Sequence, residues 1–382
     1  MRSTAQVVII GGGVVGCAIA YNLAKKGYKD VVVLERAYLA SGATGRCGAG
    51  VRQQWGTETN ILLSRESVKK FEHLEEELGY ASSIEFKQKG YILLAYTERQ
   101  MQQFIRNVAL QTSLGIPVRL VTPGEAKEIV PTLNIEGLLG AAYCPTDGHA
   151  NPFHVTQAYA EAARRLGAEI NTYTEVHGIK THHDRVTAVI TSKGDIQTSL
   201  VVNAAGAHAG VISKMAGLDL PLYAERHQAL VTEPVEPIQN PMVISFHHHL
   251  YCQQTPHGSF IMGIGDPNEP KSFNIRSGWQ FLEEVSRQVT QVLPVLKEVR
   301  VVRQWAGLYD MSPDANPILG ECPPVKGLYV AAGFSGHGFM IAPMVGQVIA
   351  EMILGEPLSL PVQRLGLDRF RRGEYFMEPS VV

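Results

Sequence analysis

Three glycines, Gly11, Gly13 and Gly16, stand at GxGxxG spacing after the apolar run QVVII, Gln6–Ile10, and ahead of Ala18, Ile19, Leu23 and Ala24 at helical spacing. Gly27 is placed to end that helix. A second β-branched run, VVVLE, then closes on Glu35, with Arg36 beside it. Each residue type has a chemical task in this order. The glycines let the backbone approach a pyrophosphate, the start of the helix stabilises its charge, and the acid accepts hydrogen bonds from a ribose diol. The spacing alone describes many ordinary turns. Strand, turn, helix, strand and acid together predict a dinucleotide site, without separating NAD from FAD.

Other stretches could meet the same ligand. SGATGRCGAGVRQQW sets Ser41, Gly42, Ala43, Thr44, Cys47, Gly48, Ala49 and Gly50 around Arg46 and ahead of Arg52. Small residues with embedded arginines suit a backbone lying against a flat, anionic ligand better than a flexible loop. Near the other end of the chain, Leu328–Ala332 reads as a strand entering Gly333, Gly336, His337, Gly338 and Met340, followed by the helix-like PMVGQVIAEMI. Backbone donors and the positive end of a helix there suit an isoalloxazine, which becomes negative at N1 and the C2 carbonyl on reduction. VVNAAGAHAG brings Ala205 and Gly206 towards phosphates or ribose, and Gly307 opens GLYDMSPDANPILG. The alternating AEINTYTEVHGI, Ala168–Ile179, places Val176 either against an adenine or simply within a sheet.

The elements that must hold these residues alternate in type. Asn60–Leu78, Thr97–Leu114 and His149–Ala168 read as helices, Phe86–Ala95 as alternating strand, and Leu222–Arg303 as strand-rich with hairpins around Pro256, His257 and Gly258. His247–His249 lack partners at metal-ligand spacing and are expected in a surface turn, and no metal site is predicted. With 382 residues, 45% hydrophobic content and a net charge of −2, the chain can fill a core but carries no basic footprint for nucleic acid. Five cysteines without a CxxC pair fit a reducing cytoplasm, and the N-terminus enters a strand with no room for a signal peptide. No apolar run approaches the ~20 residues of a membrane span.

Taken together, GGGVVG, SGATGRCGAGVRQQW, VVNAAGAHAG, RQWAGLYDMSPDANPILG and GFSGHGF resemble, in order and along the whole chain, the D-amino-acid-oxidase superfamily of FAD-dependent amine oxidoreductases. The group most resembled is that of sarcosine oxidase and L-proline dehydrogenase β-subunits. The resemblance implies an α/β fold with a discontinuous Rossmann-like FAD-binding domain, 1–85, 145–220 and 304–382. The antiparallel-sheet substrate domain, of α+β type, would take 86–144 and 221–303. It implies oxidation of the C–N bond of L-proline or a similar secondary amino acid by hydride transfer to flavin N5, within a multisubunit complex with an α-subunit or other electron-accepting protein. A stand-alone sarcosine, glycine or D-amino-acid oxidase forming peroxide, and a non-catalytic electron-transfer subunit, are the alternatives.

Arg52 is the first choice for the substrate carboxylate, because its planar fork matches a carboxylate and it coincides with an arginine used this way by related sarcosine oxidases. A cofactor phosphate or an ion pair is its alternative. Arg46 suits phosphate or flavin. Tyr251 is either a substrate contact or a core tyrosine. His337 is expected at the flavin or substrate edge, its backbone N–H and those of Gly336 and Gly338 stabilising reduced flavin. Two departures from the resembled family stand out. Met340 occupies the place of a carboxylate-binding lysine in monomeric sarcosine oxidases. Pro152 falls near the histidine that bonds FMN covalently in sarcosine oxidase β-subunits, which leaves only noncovalent FMN at a subunit interface. Ser259–Pro267 also lacks the lysine placed near flavin for reaction with oxygen, which favours a dehydrogenase.

Overall fold

The computed structural model describes residues 1–380. The run Val7–Ile10, buried along its length, lies inside a six-stranded sheet ordered Ile318–Glu321, Leu328–Ala332, Val201–Asn203, Val7–Ile10, Val31–Leu34, Glu169–Asn171. All pairings are parallel except that of Ile318–Glu321 with Leu328–Ala332. Unbroken valine and isoleucine runs are what a parallel sheet covered on both faces requires. Val7, Ile9, Val31 and Val33 pack under the helices Val14–Lys25, Glu58–Leu78, Pro152–Arg165 and Gly338–Leu354. Val8, Ile10, Val32 and Leu34 meet a three-stranded sheet, Val176–His182, Arg185–Thr191 and Gly194–Gln197, and the short helix Ala209–Lys214.

The second large sheet has eight strands in the order Val301–Met311, Tyr223–Pro234, Ser259–Ile264, Leu250–Gln254, Met242–Ser245, Tyr91–Ala95, Gly140–Cys144, Arg119–Val121. It is antiparallel apart from Met242–Ser245 against Tyr91–Ala95. Helix Trp279–Val292 covers one face and helix Glu98–Ser113 the other. The mixed α/β architecture is the one expected.

Several elements depart from the sequence reading. Ala168–Ile179 is not one strand: Glu169–Asn171 edges the parallel sheet, and a turn with Tyr173 at φ 50° redirects the chain into Val176–His182. Trp279–Val292 is a helix in a region expected to be strands; its buried Phe281, Val285, Val289 and Val292 recur at helical spacing. Strand Val301–Met311 runs across the expected boundary at 304 and pairs with Tyr223–Pro234 from end to end. His247–His249 do form the turn between Met242–Ser245 and Leu250–Gln254. Among the described residues no helix is long and apolar enough to cross a membrane.

Candidate active site

One cavity of about 650 Å³ runs from the first glycine turn to the last. At its first end, Gly11 has φ 119°, and a Cβ there would collide with the Ala204 carbonyl oxygen. Gly13 is the extended residue before helix Val14–Lys25, whose start has neither a side-chain cap nor an acid in its first turn. Its first N–H groups lack intrahelical partners, the arrangement that receives a phosphate. The Val14 N–H donates to Thr44 Oγ1 at 3.2 Å. Glu35 is fixed by its neighbours: Oε2 accepts from the Gly12 N–H at 2.9 Å, and Oε1 from the Ala37 N–H at 2.8 Å and Ser41 Oγ at 3.2 Å.

Of the predicted site residues, Gly11, Gly13, Glu35, Arg36, Ser41, Gly42, Ala43, Thr44, Arg46, Cys47, Gly48, Ala49, Gly50, Val176, Ala205, Gly206 and Gly307 line this cavity. Gly16 and Gly333 do not. A Cβ on Gly16 would strike the Gly11 carbonyl oxygen, so this glycine lets the helix start close against the loop. Arg46 lines the wall, yet its Nε donates to Ser41 O at 3.3 Å and its Nη1 to Ala306 O at 3.0 Å. Its guanidinium therefore ties the loop to strand Val301–Met311, a bond returned by Trp305 Nε1 to Arg46 O at 2.8 Å. Burial pushes the Cys47 thiol up to about 11, so it is held protonated.

At the other end, Gly336, His337, Gly338 and Met340 line the cavity where helix Gly338–Leu354 begins, again without a side-chain cap or a first-turn acid. Gly333 instead shapes the turn: its N–H donates to Asp310 Oδ2 at 2.6 Å, while Asp310 O accepts from the Ser335 N–H at 3.0 Å. Burial raises the Asp310 carboxyl to about 6. His337 is 1% exposed, and neither ring nitrogen has a partner among the described residues. Burial, with Arg52 nearby, lowers its pKa to about 3 and keeps the imidazole neutral.

Arg52 shares this end of the cavity. Its guanidinium lies 3.9 Å from the Trp55 ring, whose centroid is 4.7 Å from that of His337. Nη2 donates to Ser380 O at 2.6 Å, and Nη1, also buried, has no partner among the described residues. Burial lowers the Arg52 pKa, which is the cost of an unpaired cation there. The loop behind it is set by buried Asp147, which accepts from the Gln53 N–H at 2.9 Å and from Gln54 Nε2 at 3.0 Å.

Tyr251 lines the same wall from strand Leu250–Gln254, and burial raises its phenol well above the ordinary value. Tyr91, Tyr309, Trp55, Met242 and Ile244 stand there too and were not singled out from sequence. Trp55 and Tyr309 sit inside quoted motifs, and attention to aromatic residues within them was the available signal. Tyr91, Met242 and Ile244 open or fill ordinary apolar strands and carry no local mark. No lysine lines the cavity, so Met340 is not compensated by one from elsewhere in its wall.

A family model described as DAO, FAD dependent oxidoreductase, matches residues 6–352. The chain belongs to this family of FAD-dependent oxidoreductases. It is 31% identical to the sarcosine oxidase subunit beta of Rhodobacter capsulatus, over 98% of this chain and 90% of that one. Among solved structures it is similar to L-proline dehydrogenase from P. horikoshii, with 42% identity, TM-score 0.93, and coverage of 98% and 100%. Glycine oxidase from Geobacillus kaustophilus follows at 27% identity and TM-score 0.89, over 96% and 99%. The DAO-type site fits FAD by its own donors: two uncapped helix starts face one cavity, and Gly11, where any Cβ would strike the Ala204 carbonyl oxygen, brings bare backbone to its lining.

Proposed function

We propose that this chain oxidises the C–N bond of a small secondary amino acid, L-proline or sarcosine, as the flavin-bearing subunit of a larger dehydrogenase. The observation that carries the reading is Arg52, a buried guanidinium with one unpartnered nitrogen on the cavity wall beside an uncapped helix start. Such a group suits one small carboxylate, because a bidentate or charge-assisted bond there offsets the cation's desolvation.

In this reading Gly11, Gly13 and the start of helix Val14–Lys25 hold the pyrophosphate of FAD, Glu35 a ribose, and Ser41–Gly50 the ring system. The start of helix Gly338–Leu354 faces the flavin's electron-rich edge. Bound FAD supplies an acceptor for the two electrons leaving the C–N bond. The chain's own residues do the rest. Arg52 fixes the carboxylate; Trp55, Tyr91, Tyr251, Tyr309, Met242, Ile244 and Met340 exclude water; His337, neutral, places no second cation beside the substrate amine. The two large sheets divide as a flavin-binding part and a substrate-facing part, and the β-subunit likeness supports a partner that accepts the electrons. Five free cysteines agree with work in the cytoplasm.

The test is the visible spectrum of the purified chain during anaerobic addition of proline, sarcosine, glycine and D-alanine. Bleaching by proline or sarcosine, with slow turnover in air, is the expected result. Rapid peroxide formation in air would replace it with a stand-alone oxidase, the reading that the glycine oxidase likeness favours. Absence of bleaching by every amine would leave an electron-transfer subunit. Chromatography of the released flavin decides whether noncovalent FMN accompanies FAD.

A further inference from the structure

Arg52 receives its one hydrogen-bond acceptor from the far end of the chain, the Ser380 carbonyl. That carbonyl is itself held in place. Glu378, 4% exposed, turns its carboxylate onto the start of helix Glu58–Leu78: Oε1 accepts from the Gly56 N–H at 2.9 Å, and Oε2 from the Thr57 N–H at 3.1 Å, Thr57 Oγ1 at 2.7 Å and Asn60 Nδ2 at 3.2 Å. The Ser380 N–H returns to Glu378 Oε1 at 3.0 Å, and Asn107 Nδ2 donates to Ser380 Oγ at 3.3 Å. Upstream, the Glu378 N–H donates to Asp314 O at 3.2 Å, and Asp314 is locked by a fully buried ion pair with Arg369. Among the described residues, the carboxylates whose charge reaches Arg52, Glu378 and Asp147, are both engaged with other donors. The guanidinium thus meets a neutral carbonyl through Nη2 and has no partner for Nη1 among the described residues.

We propose that Phe376–Ser380 is a positioning strap for the substrate clamp. Glu378 docks on the start of helix Glu58–Leu78 and presents the Ser380 carbonyl to Arg52 Nη2, which fixes the guanidinium over Trp55 with Nη1 left for the ligand carboxylate. A neutral acceptor serves this purpose where a carboxylate would not, because an internal anion would compete with the substrate for the same fork. Glu378 and Ser380 act through Arg52 and touch no reacting atom. The proposal rests on the reading of Arg52 as carboxylate clamp.

The experiment titrates acetate, a carboxylate with no amine to oxidise, into the FAD-loaded full chain and follows the flavin's visible spectrum. Glu378→Ala is expected to weaken acetate about tenfold, the scale of one compromised charge-assisted bond, with flavin content kept; Glu378→Gln, which keeps one acceptor oxygen for Gly56 and Ser380 but turns an amide donor onto Thr57 and Asn60, should restore only part of the affinity. Ser380→Pro removes the N–H that ties Ser380 to Glu378, together with the hydroxyl that accepts from Asn107, while keeping the carbonyl, so it should act in the same direction and serves if Glu378→Ala fails to fold. Arg52→Ala separates the two ideas. If it leaves acetate binding unchanged, the clamp itself is wrong. If Arg52→Ala abolishes binding while Glu378→Ala and Ser380→Pro leave it unchanged, the strap alone is overturned.

Discussion

His337 shows what burial does to a single residue of this site. Its ordinary pKa of 6.5 falls to about 3 in the folded chain, so the unfolded chain takes up a proton there at a pH where the folded one does not. This contribution to stability is present above pH 6.5 and shrinks as the pH falls towards 3. Asp147 and Asp310 act with the opposite sign: raised from 3.8 to about 6, they favour the folded chain at low pH and lose that contribution as the pH rises through 6. Replacing His337 by the non-titrating asparagine isolates its share. The difference in Tm between the wild type and His337→Asn should narrow as the pH is lowered from 6.5 to 4.5. A constant difference over that window would mean that His337 protonates freely in the folded protein.

Among the elements, the turn into helix Val14–Lys25 was the most legible, because a close approach of backbone to backbone forces glycine and leaves a spacing in the sequence. Gly16→Ala puts a Cβ against the Gly11 carbonyl oxygen, and the strain of overpacking, about 1–3 kcal/mol, is expected as a lower Tm together with a reduced flavin content. Gly124→Ala, in open space on helix Pro123–Ile129, is the control and should leave the flavin content unchanged and the Tm equal or slightly higher. The parallel strands were equally plain in their valine runs. The wall around Arg52 was not. Tyr91, Met242 and Ile244 reach it from neighbouring strands, Tyr91–Ala95 and Met242–Ser245, whose parallel pairing no local pattern encodes. Ser380 reaches it across 328 residues, and a backbone carbonyl bears no side-chain signature at all. The partners of Arg46, Ser41 O and Ala306 O, are likewise main-chain atoms that no residue pattern marks.

At the scale of the whole molecule, the cavity is built jointly by both large sheets, and Arg46 with Trp305 ties loop 41–50 to the strand Val301–Met311. FAD bound there should stabilise the molecule as one unit. At a free concentration a hundredfold above its Kd, a ligand that binds only the folded state adds about 2.7 kcal/mol. The apo-protein is therefore expected to melt at a lower temperature than the holoprotein, in a single transition seen alike by tryptophan fluorescence and far-ultraviolet circular dichroism. Two separate transitions, with only one moved by FAD, would show that the sheets unfold independently. The order of the parallel sheet carries one more consequence, in time. Val7–Ile10 finds one neighbour soon, in Val31–Leu34, but its other neighbour is Val201–Asn203. At roughly 5–20 residues per second on the ribosome, that edge waits about ten to forty seconds for its partner. The strand at the heart of the finished flavoprotein is thus an open, sticky margin during synthesis, and the period of greatest exposure to aggregation comes before any flavin can bind.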